Sequence, residues 1–227
     1  MNYIWFIIEP FSFLLNSFIL FYYCWKINYR FKYRVLTGFN FVAAILLAKA
    51  SQEGLQFNTN VEYYNFLYLL SSLCLGYYFY TSLLPKLKKI ITLLLCGITI
   101  LYFIFNNPLF SKDQLFDSMG YVISSMGITI MILMLIHQIM TNVNEEPLSL
   151  NFDFWFICSQ MVYHLGSFVI FLTYNYLTQK IIPQYIYKNR ELLTYLWTIP
   201  NVLLFLSSLI TCTGVLWIAY SRKSSLS

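Results

Sequence analysis

Two ionisable side chains interrupt the first two long apolar stretches of the chain. Glu9 lies about five residues from the start of the first stretch, and Lys49 lies a similar distance from the end of the second. An ionised group in such a setting is costly and is therefore a functional candidate. If the stretches are antiparallel helices, a rise of about 1.5 Å per residue puts both groups at matching depth. We predict that Glu9 and Lys49 form an ion pair, for which Glu53, on the same helix face as Lys49, competes.

Two interpretations of this predicted pair stay open. The structural one is that the pair stabilises a helix bundle, or that Lys49 extends its stem outward to a polar surface. The functional one is that Glu9 and Lys49 form the polar wall of an outward-facing ligand pocket.

Three further polar residues lie deep inside apolar stretches. His164 is near the middle of the sixth stretch, and Asn16 and Asn201 come to similar depths in the first and the seventh. Buried amides and imidazoles usually form hydrogen bonds between helices. The alternative is a pocket floor or a protonation switch, because imidazole titrates near neutrality. With Glu9 and Lys49, these residues make up the predicted polar core.

The residues needed for catalysis are scarce. His137, the other histidine, differs from His164 by about 10 Å in depth on the helix rise, whereas the ligands of one zinc ion lie within about 2 Å of it. The sequence contains no HExxH motif, no paired carboxylates and no CxxC pair among its five cysteines, which are interpreted as packing residues. We therefore expect no enzyme activity, no metal site and no cofactor.

The composition indicates where these residues are embedded. Hydrophobic residues make up 59% of the chain and charged residues only 10%, against about 25% charged in soluble domains. About 20 apolar residues suffice for a helix to cross a bilayer. Seven such stretches occur, at residues 4–25, 35–52, 63–84, 90–105, 118–140, 154–176 and 193–220. We predict an all-α fold, a single domain over residues 1–227 formed by seven transmembrane helices, with no removable signal peptide.

Basic residues predict the orientation of this bundle. If seven helices alternate, one side receives Lys26, Arg30, Lys32, Arg34, Lys86, Lys88, Lys89, Arg222 and Lys223. The other side receives Lys112, Lys180, Lys188 and Arg190. Because Lys and Arg favour the cytoplasmic side, we expect an outside N-terminus and a cytoplasmic C-terminus in a multi-pass protein of a cell inner membrane.

Two prolines interrupt the predicted helices near their outer halves. Pro10 lies in the first helix and Pro200 in the seventh. Proline removes a backbone hydrogen bond and bends a helix, so the two kinks could open a crevice between helices. Ordinary bending of membrane helices is the simpler interpretation.

The last third of the chain resembles a known family. The segments EPL at 146–148, DFWF at 153–156, MVYHLGSFVIF at 161–171, LW at 196–197 and NVLL at 201–204 are similar to the seven-helix membrane sensor domains of some bacterial histidine kinases. In that family the last helix leads into a cytoplasmic kinase. This sequence ends at Ser227 without a phosphoacceptor histidine or an ATP-binding motif. The resemblance therefore implies a sensor module without kinase activity, and no catalytic residue is carried over.

Several functions fit this outline. The first is a non-catalytic sensor-like or accessory module that contacts membrane lipids and signals to a cytoplasmic or membrane protein partner, without binding nucleic acid. The second is a small transporter of a small solute, built as a three-plus-one-plus-three repeat, although Pro10 has no counterpart in the fifth helix and the Pro183–Gln184 pair falls in a loop. A lipid-modifying enzyme would need Glu9, Lys49 and His164 together in one pocket. A structural subunit would show exposed polar residues at membrane depth.

Overall fold

The structure is a computed structural model that describes residues 4–26, 30–55, 61–106, 118–141, 147–180 and 190–224. These residues form α1 (Ile4–Lys26), α2 (Phe31–Leu55), α3 (Val61–Ser82), α4 (Lys86–Asn106), α5 (Ser118–Thr141), α6 (Phe152–Lys180) and α7 (Arg190–Ser224). A single turn of 3-10 helix, Leu148–Leu150, precedes α6. The prediction of an all-helical chain with a helix in each of the seven apolar stretches is confirmed.

Several helices extend beyond the apolar stretches that predict them. α2 begins at Phe31 and α4 begins at Lys86, so basic residues assigned to connections lie within the first helical turns. Pro85 directly precedes α4, and its carbonyl accepts a hydrogen bond from the backbone of Lys89. Proline suits the start of a helix because its missing N–H would have no partner there. α7 likewise begins at Arg190, before the predicted stretch 193–220.

Six of the helices form a closed ring. α1 packs against α2 and α7, α3 packs against α2 and α5, and α6 packs against α5 and α7. α4 lies outside this ring against α3 and α5. Its large apolar side chains, such as Leu93, Ile98 and Phe105, are accordingly exposed, as expected of a helix that contacts lipid on most of its surface.

Six helices are long and apolar enough to cross a membrane among the residues that the structure describes, and they are all but α3. This indicates a multi-pass membrane protein. α3, which corresponds to the third predicted stretch, is less apolar than the other six helices over the length of a membrane span because it carries six tyrosines with Asn65, Ser71 and Ser72. Their polar groups lower its hydropathy, yet Asn65, both serines and three of the tyrosines are buried inside the bundle. α3 is thus the polar wall of the ring interior.

Candidate functional site

The carboxyl group of Glu9 lies inside the ring. Its side chain is 8% exposed, and Oε2 accepts a hydrogen bond from the hydroxyl of Tyr64 on α3 at 2.7 Å. Glu9 and Asn201 of α7 line a cavity of about 20 Å³, which we call the Glu9 cavity. That volume suits about one water molecule. The predictions that Glu9 and Asn201 belong to a polar interior are consistent with this placement.

Lys49 lies elsewhere, and the predicted ion pair with Glu9 is wrong. The Lys49 side chain is exposed, and its ammonium nitrogen lies 5.5 Å from the ring centroid of Tyr63. The Tyr63 hydroxyl in turn donates a hydrogen bond to Glu53 at 2.5 Å. Within the described segments, no ion pair joins Lys49 to Glu9 or to Glu53.

The position of Lys49 around α2 explains this outcome. Leu47 faces the ring interior and is 1% exposed. Lys49 follows two residues later, which is about 200° further around a helix. Sequence depth put Lys49 level with Glu9, but depth does not fix the direction in which a side chain points.

A second cavity lies deeper in the ring and is named here the central cavity. It has a volume of about 40 Å³, enough for a few waters, and Asn16 and His164 line it with Gln160 and Thr211. The Asn16 amide donates a hydrogen bond to Ser208 at 3.0 Å. In the described part of the chain, Asn16 Oδ1 and His164 Nδ1 are buried without a hydrogen-bond partner. The structure therefore brings Asn16 and His164 together, while Asn201 belongs to the Glu9 cavity.

The two cavities share a wall of tyrosines. Tyr68 of α3 and Tyr163 of α6 line both cavities, and their hydroxyl oxygens lie 3.3 Å apart. The predicted polar core is thus divided into two small adjoining volumes rather than one pocket.

A cluster that the sequence analysis missed lies at the other end of the ring. Lys32 in the first turn of α2 places its ammonium nitrogen 2.8 Å and 3.2 Å from the carboxylate oxygens of Asp153 in the first turn of α6. The hydroxyls of Tyr33 and Tyr78 donate to the same carboxylate at 2.9 Å and 2.7 Å. Lys32 also donates to Ser82 at 2.9 Å. These five residues are called the Lys32–Asp153 cluster below.

Local structure positions both charges of this cluster. Asn151 precedes α6, and its side chain accepts a hydrogen bond from the backbone N–H of Asp153 at 2.9 Å, as an N-cap residue does. A carboxylate in the first helical turn is further stabilised by the helix dipole. The ammonium nitrogen of Lys32 lies 4.8 Å and 5.0 Å from the ring centroids of Tyr33 and Tyr78, within the range of cation–π attraction.

The sequence contains a signal for this cluster. Lys32 is one of the basic residues that predict the topology, and Asp153 belongs to the DFWF segment of the family resemblance. The Asn151–Asp153 spacing is typical of a helix start, and this would have placed the carboxylate at the same end as Lys32.

Glu9, His164 and Lys49 lie at three separate places, since Glu9 lines one cavity, His164 lines the other and Lys49 is exposed. In the segments that the structure describes, no group of three or more His, Cys, Asp or Glu side chains could hold a metal ion. His137 is exposed on α5, whereas His164 is buried on α6. The chain matches no protein-family model, no curated protein and no solved structure. The geometry of two polar layers remains as the guide to function: one layer is formed by the two adjoining cavities and the other by the Lys32–Asp153 cluster.

Proposed function

We propose that the protein is a non-catalytic, sensor-like module of the bacterial inner membrane, which passes a change in its interior to a partner protein. One observation carries the proposal: α3 and α6 each contribute to both polar layers. α3 supplies Tyr64 to Glu9 and Tyr78 to Asp153. α6 supplies Tyr163 to the cavities and Asp153 to the cluster.

The proposed topology has seven crossings, because α3 crosses the membrane in addition to the six more apolar helices. α3 has 22 residues, or about 33 Å of helix, which matches the hydrocarbon thickness of a bilayer. It lies in the ring between α2 and α5, so lipid contacts little of its polar surface. With seven crossings, the Lys32–Asp153 cluster and most basic residues lie on the cytoplasmic side, and the Glu9 cavity lies in the outer half.

Signal transfer follows from the shared helices. Tyr64 and Tyr78 are about 21 Å apart along α3 on the helix rise. A ligand that binds in the Glu9 cavity contacts Tyr64 and so displaces α3 relative to its neighbours, since a packed interior has little spare volume. The same movement changes the hydrogen bond between Tyr78 and Asp153. Such coupling requires an element with two arrangements whose equilibrium both sites influence. In this proposal the element is α3.

A partner would meet the proposed cytoplasmic face. Exposed basic residues surround the Lys32–Asp153 cluster there, including Lys26, Arg30 and Lys86. Such residues attract acidic protein surfaces and anionic lipid headgroups. The similarity to kinase sensor domains supports a signalling protein as the partner.

A distance measurement tests the coupling without knowledge of the ligand. Spin labels at Leu84→Cys, after α3, and Leu148→Cys, before α6, would report on the two helices at the cluster end; both native residues are exposed. We expect Glu9→Gln to shift the distance distribution between the labels by a few ångströms, and Glu53→Gln, the matched surface change, to leave it unaltered. An unchanged distribution in Glu9→Gln would argue against transmission through α3 and α6.

The alternative is a transporter of a small solute, which the order of helices in the ring favours. α4 stands outside the ring between the halves α1–α3 and α5–α7, as the linker of a three-plus-one-plus-three repeat would. Alternating access requires the central cavity to open to both sides. Labelling of Asn16→Cys and Thr211→Cys by a membrane-impermeant reagent from each side in turn would support transport, whereas access from neither or one side favours the sensor.

A further inference from the structure

Among the residues that the structure describes, no cation is paired with the Glu9 carboxyl group. Within the described segments, the one ion pair joins Lys32 to Asp153, and the hydrogen bond to Glu9 comes from the neutral hydroxyl of Tyr64. Desolvation of an isolated charge costs several kcal/mol, so a buried carboxyl group is either neutral or paired with a cation. No described residue supplies such a cation near Glu9, which leaves the position open to a cationic ligand.

Aromatic rings enclose the space in front of this carboxyl group. The Glu9 cavity is walled by Phe13, Tyr64, Tyr68, Tyr121, Tyr163 and Phe171. The face of an aromatic ring carries negative charge density, so rings around a carboxylate favour an organic cation. Asn201, which is 4% exposed and also lines the cavity, offers an amide oxygen as a further acceptor.

The size of the cavity selects among cations. About 20 Å³ accommodates a group of roughly the size of a single water molecule, and an ammonium group has that size. A guanidinium or a quaternary ammonium group is larger. Divalent cations are disfavoured because Ca²⁺ takes about six to eight oxygen ligands and Mg²⁺ retains several waters, whereas Glu9 is the single carboxylate among the described residues of this lining.

We propose that the Glu9 cavity binds a primary ammonium group, held by the Glu9 carboxylate and the surrounding tyrosine rings. This site specifies the chemical class of the signal in the proposed function. Its role in signalling rests on that proposed function. The ammonium group can belong to a free small amine or to a membrane amphiphile. In the second case the alkyl chain would leave between α1 and α7, where Pro200 lines the cavity and Pro10 adjoins Glu9.

Thermal unfolding of the purified full chain in detergent tests the site. Methylammonium, tetramethylammonium and sodium chlorides are compared at equal ionic strength and about pH 8, where alkylamines are protonated. We expect methylammonium to raise Tm by about 3 to 6 °C at ten times its Kd, and the other two salts to leave it unchanged. Equal effects of all three salts overturn the proposal on the wild-type chain alone, and so does the lack of any effect of methylammonium when the long-chain amine described below is also without effect.

Two variants locate the effect. Glu9→Gln keeps the shape of the side chain but removes its charge, and we expect it to weaken methylammonium binding about 30-fold or more, since one partner of a buried charge pair is lost. Glu53→Gln, a matched change at a surface carboxylate, should bind as wild type does. If Glu9→Gln retains the full methylammonium shift, the ligand does not bind at Glu9 and the proposal fails.

A long-chain alkylammonium, added to the same micelles, distinguishes the two sources. Stabilisation by methylammonium as well as by the long-chain amine indicates that the head group suffices, and stabilisation by the long-chain amine alone, lost in Glu9→Gln, indicates a membrane amphiphile. Stabilisation by neither overturns the site but leaves the proposed function standing if Glu9→Gln still shifts the spin-label distance.

Discussion

Lys32 on α2 and Asp153 on α6 are 121 residues apart in the chain, and their charged groups lie 2.8 Å apart. α2 and α6 occupy opposite positions in the six-helix ring. The pair therefore spans the interior of one end of the bundle, and Tyr78 joins α3 to it. This contact holds together helices that are not adjacent in the ring.

The first prediction concerns the loss of one charge of this pair. Lys32→Met leaves the Asp153 carboxylate without its cation in a largely enclosed site. Breaking a buried pair typically costs about 3 kcal/mol or more, and the partial exposure of Asp153, 20%, reduces the cost. We expect Lys32→Met to lower the free energy of unfolding by about 2 to 3 kcal/mol, measured by denaturant titration in detergent.

A double-mutant cycle separates pairing from packing in this test. Lys32→Met combined with Asp153→Asn removes both charges, so the double variant should be more stable than the sum of the two single losses predicts. Strict additivity would mean that the two side chains do not interact in solution.

The second prediction compares adjacent tyrosines of α3. Tyr64 donates to the buried Glu9, while Tyr63 donates to Glu53 at the surface. Tyr64→Phe leaves a buried carboxyl group without that donor, which costs about 1 to 3 kcal/mol. Tyr63→Phe exposes its acceptor to water and should cost less than about 0.5 kcal/mol. Thermal unfolding of both variants checks the difference, and similar losses would count against the distinct environment of Glu9.

The length and apolarity of the helices were predictable from sequence because bilayer crossing imposes both. The depths of Glu9, Asn16, His164 and Asn201 followed from counting residues, and all four side chains are buried. What residue counting omits is the direction of each side chain around its helix. The contacts of a helix with its neighbours determine that direction, and a single sequence does not specify those contacts.

Lys49 and Asp153 illustrate this limit from opposite sides. Lys49 has the depth expected of a partner for Glu9 but points outward. Asp153 lies at a helix end, where a charge is ordinary, and yet it accepts hydrogen bonds from Lys32 and from two tyrosines. The low hydropathy of α3 illustrates the same limit. Its polar groups face other helices rather than lipid, and composition alone does not give that direction.

The third prediction follows from the exposed position of Lys49. Its contact is with the ring of Tyr63, and an exposed cation–π contact is worth about 0.5 to 1 kcal/mol at most. We expect Lys49→Met to change the free energy of unfolding by less than about 1 kcal/mol, far less than Lys32→Met. A loss of stability as large as that of Lys32→Met would contradict this prediction and would indicate that Lys49 pairs with Glu9.

The fourth prediction concerns close packing of α7 against α6. A Cβ atom added at Gly214 would overlap the indole ring of Trp155, whose N–H donates a hydrogen bond to the carbonyl of Ser149 at 2.8 Å. Gly214→Ala must therefore displace the indole, and overpacking of this kind costs about 1 to 3 kcal/mol.

Gly38 provides the matched control for this change. Nothing lies within 4 Å of a Cβ atom at Gly38, so Gly38→Ala should leave stability unchanged or raise it by up to about 1 kcal/mol through helix propensity. Thermal unfolding and tryptophan fluorescence report both changes. Equal stability of the two variants would show that Trp155 does not lie against α7.

The last prediction separates seven crossings from six. In a variant without the five native cysteines, single cysteines at Glu62 and Leu84 mark the two ends of α3. If α3 crosses the membrane, an impermeant maleimide labels Glu62→Cys in intact cells and labels Leu84→Cys only after the membrane is opened. Reporters fused to the two chain ends should then lie on opposite sides, the N-terminal one outside. If both cysteines react from one side and both reporters share a compartment, α3 does not cross, and the Glu9 cavity and the Lys32–Asp153 cluster cannot face opposite sides of the membrane through it.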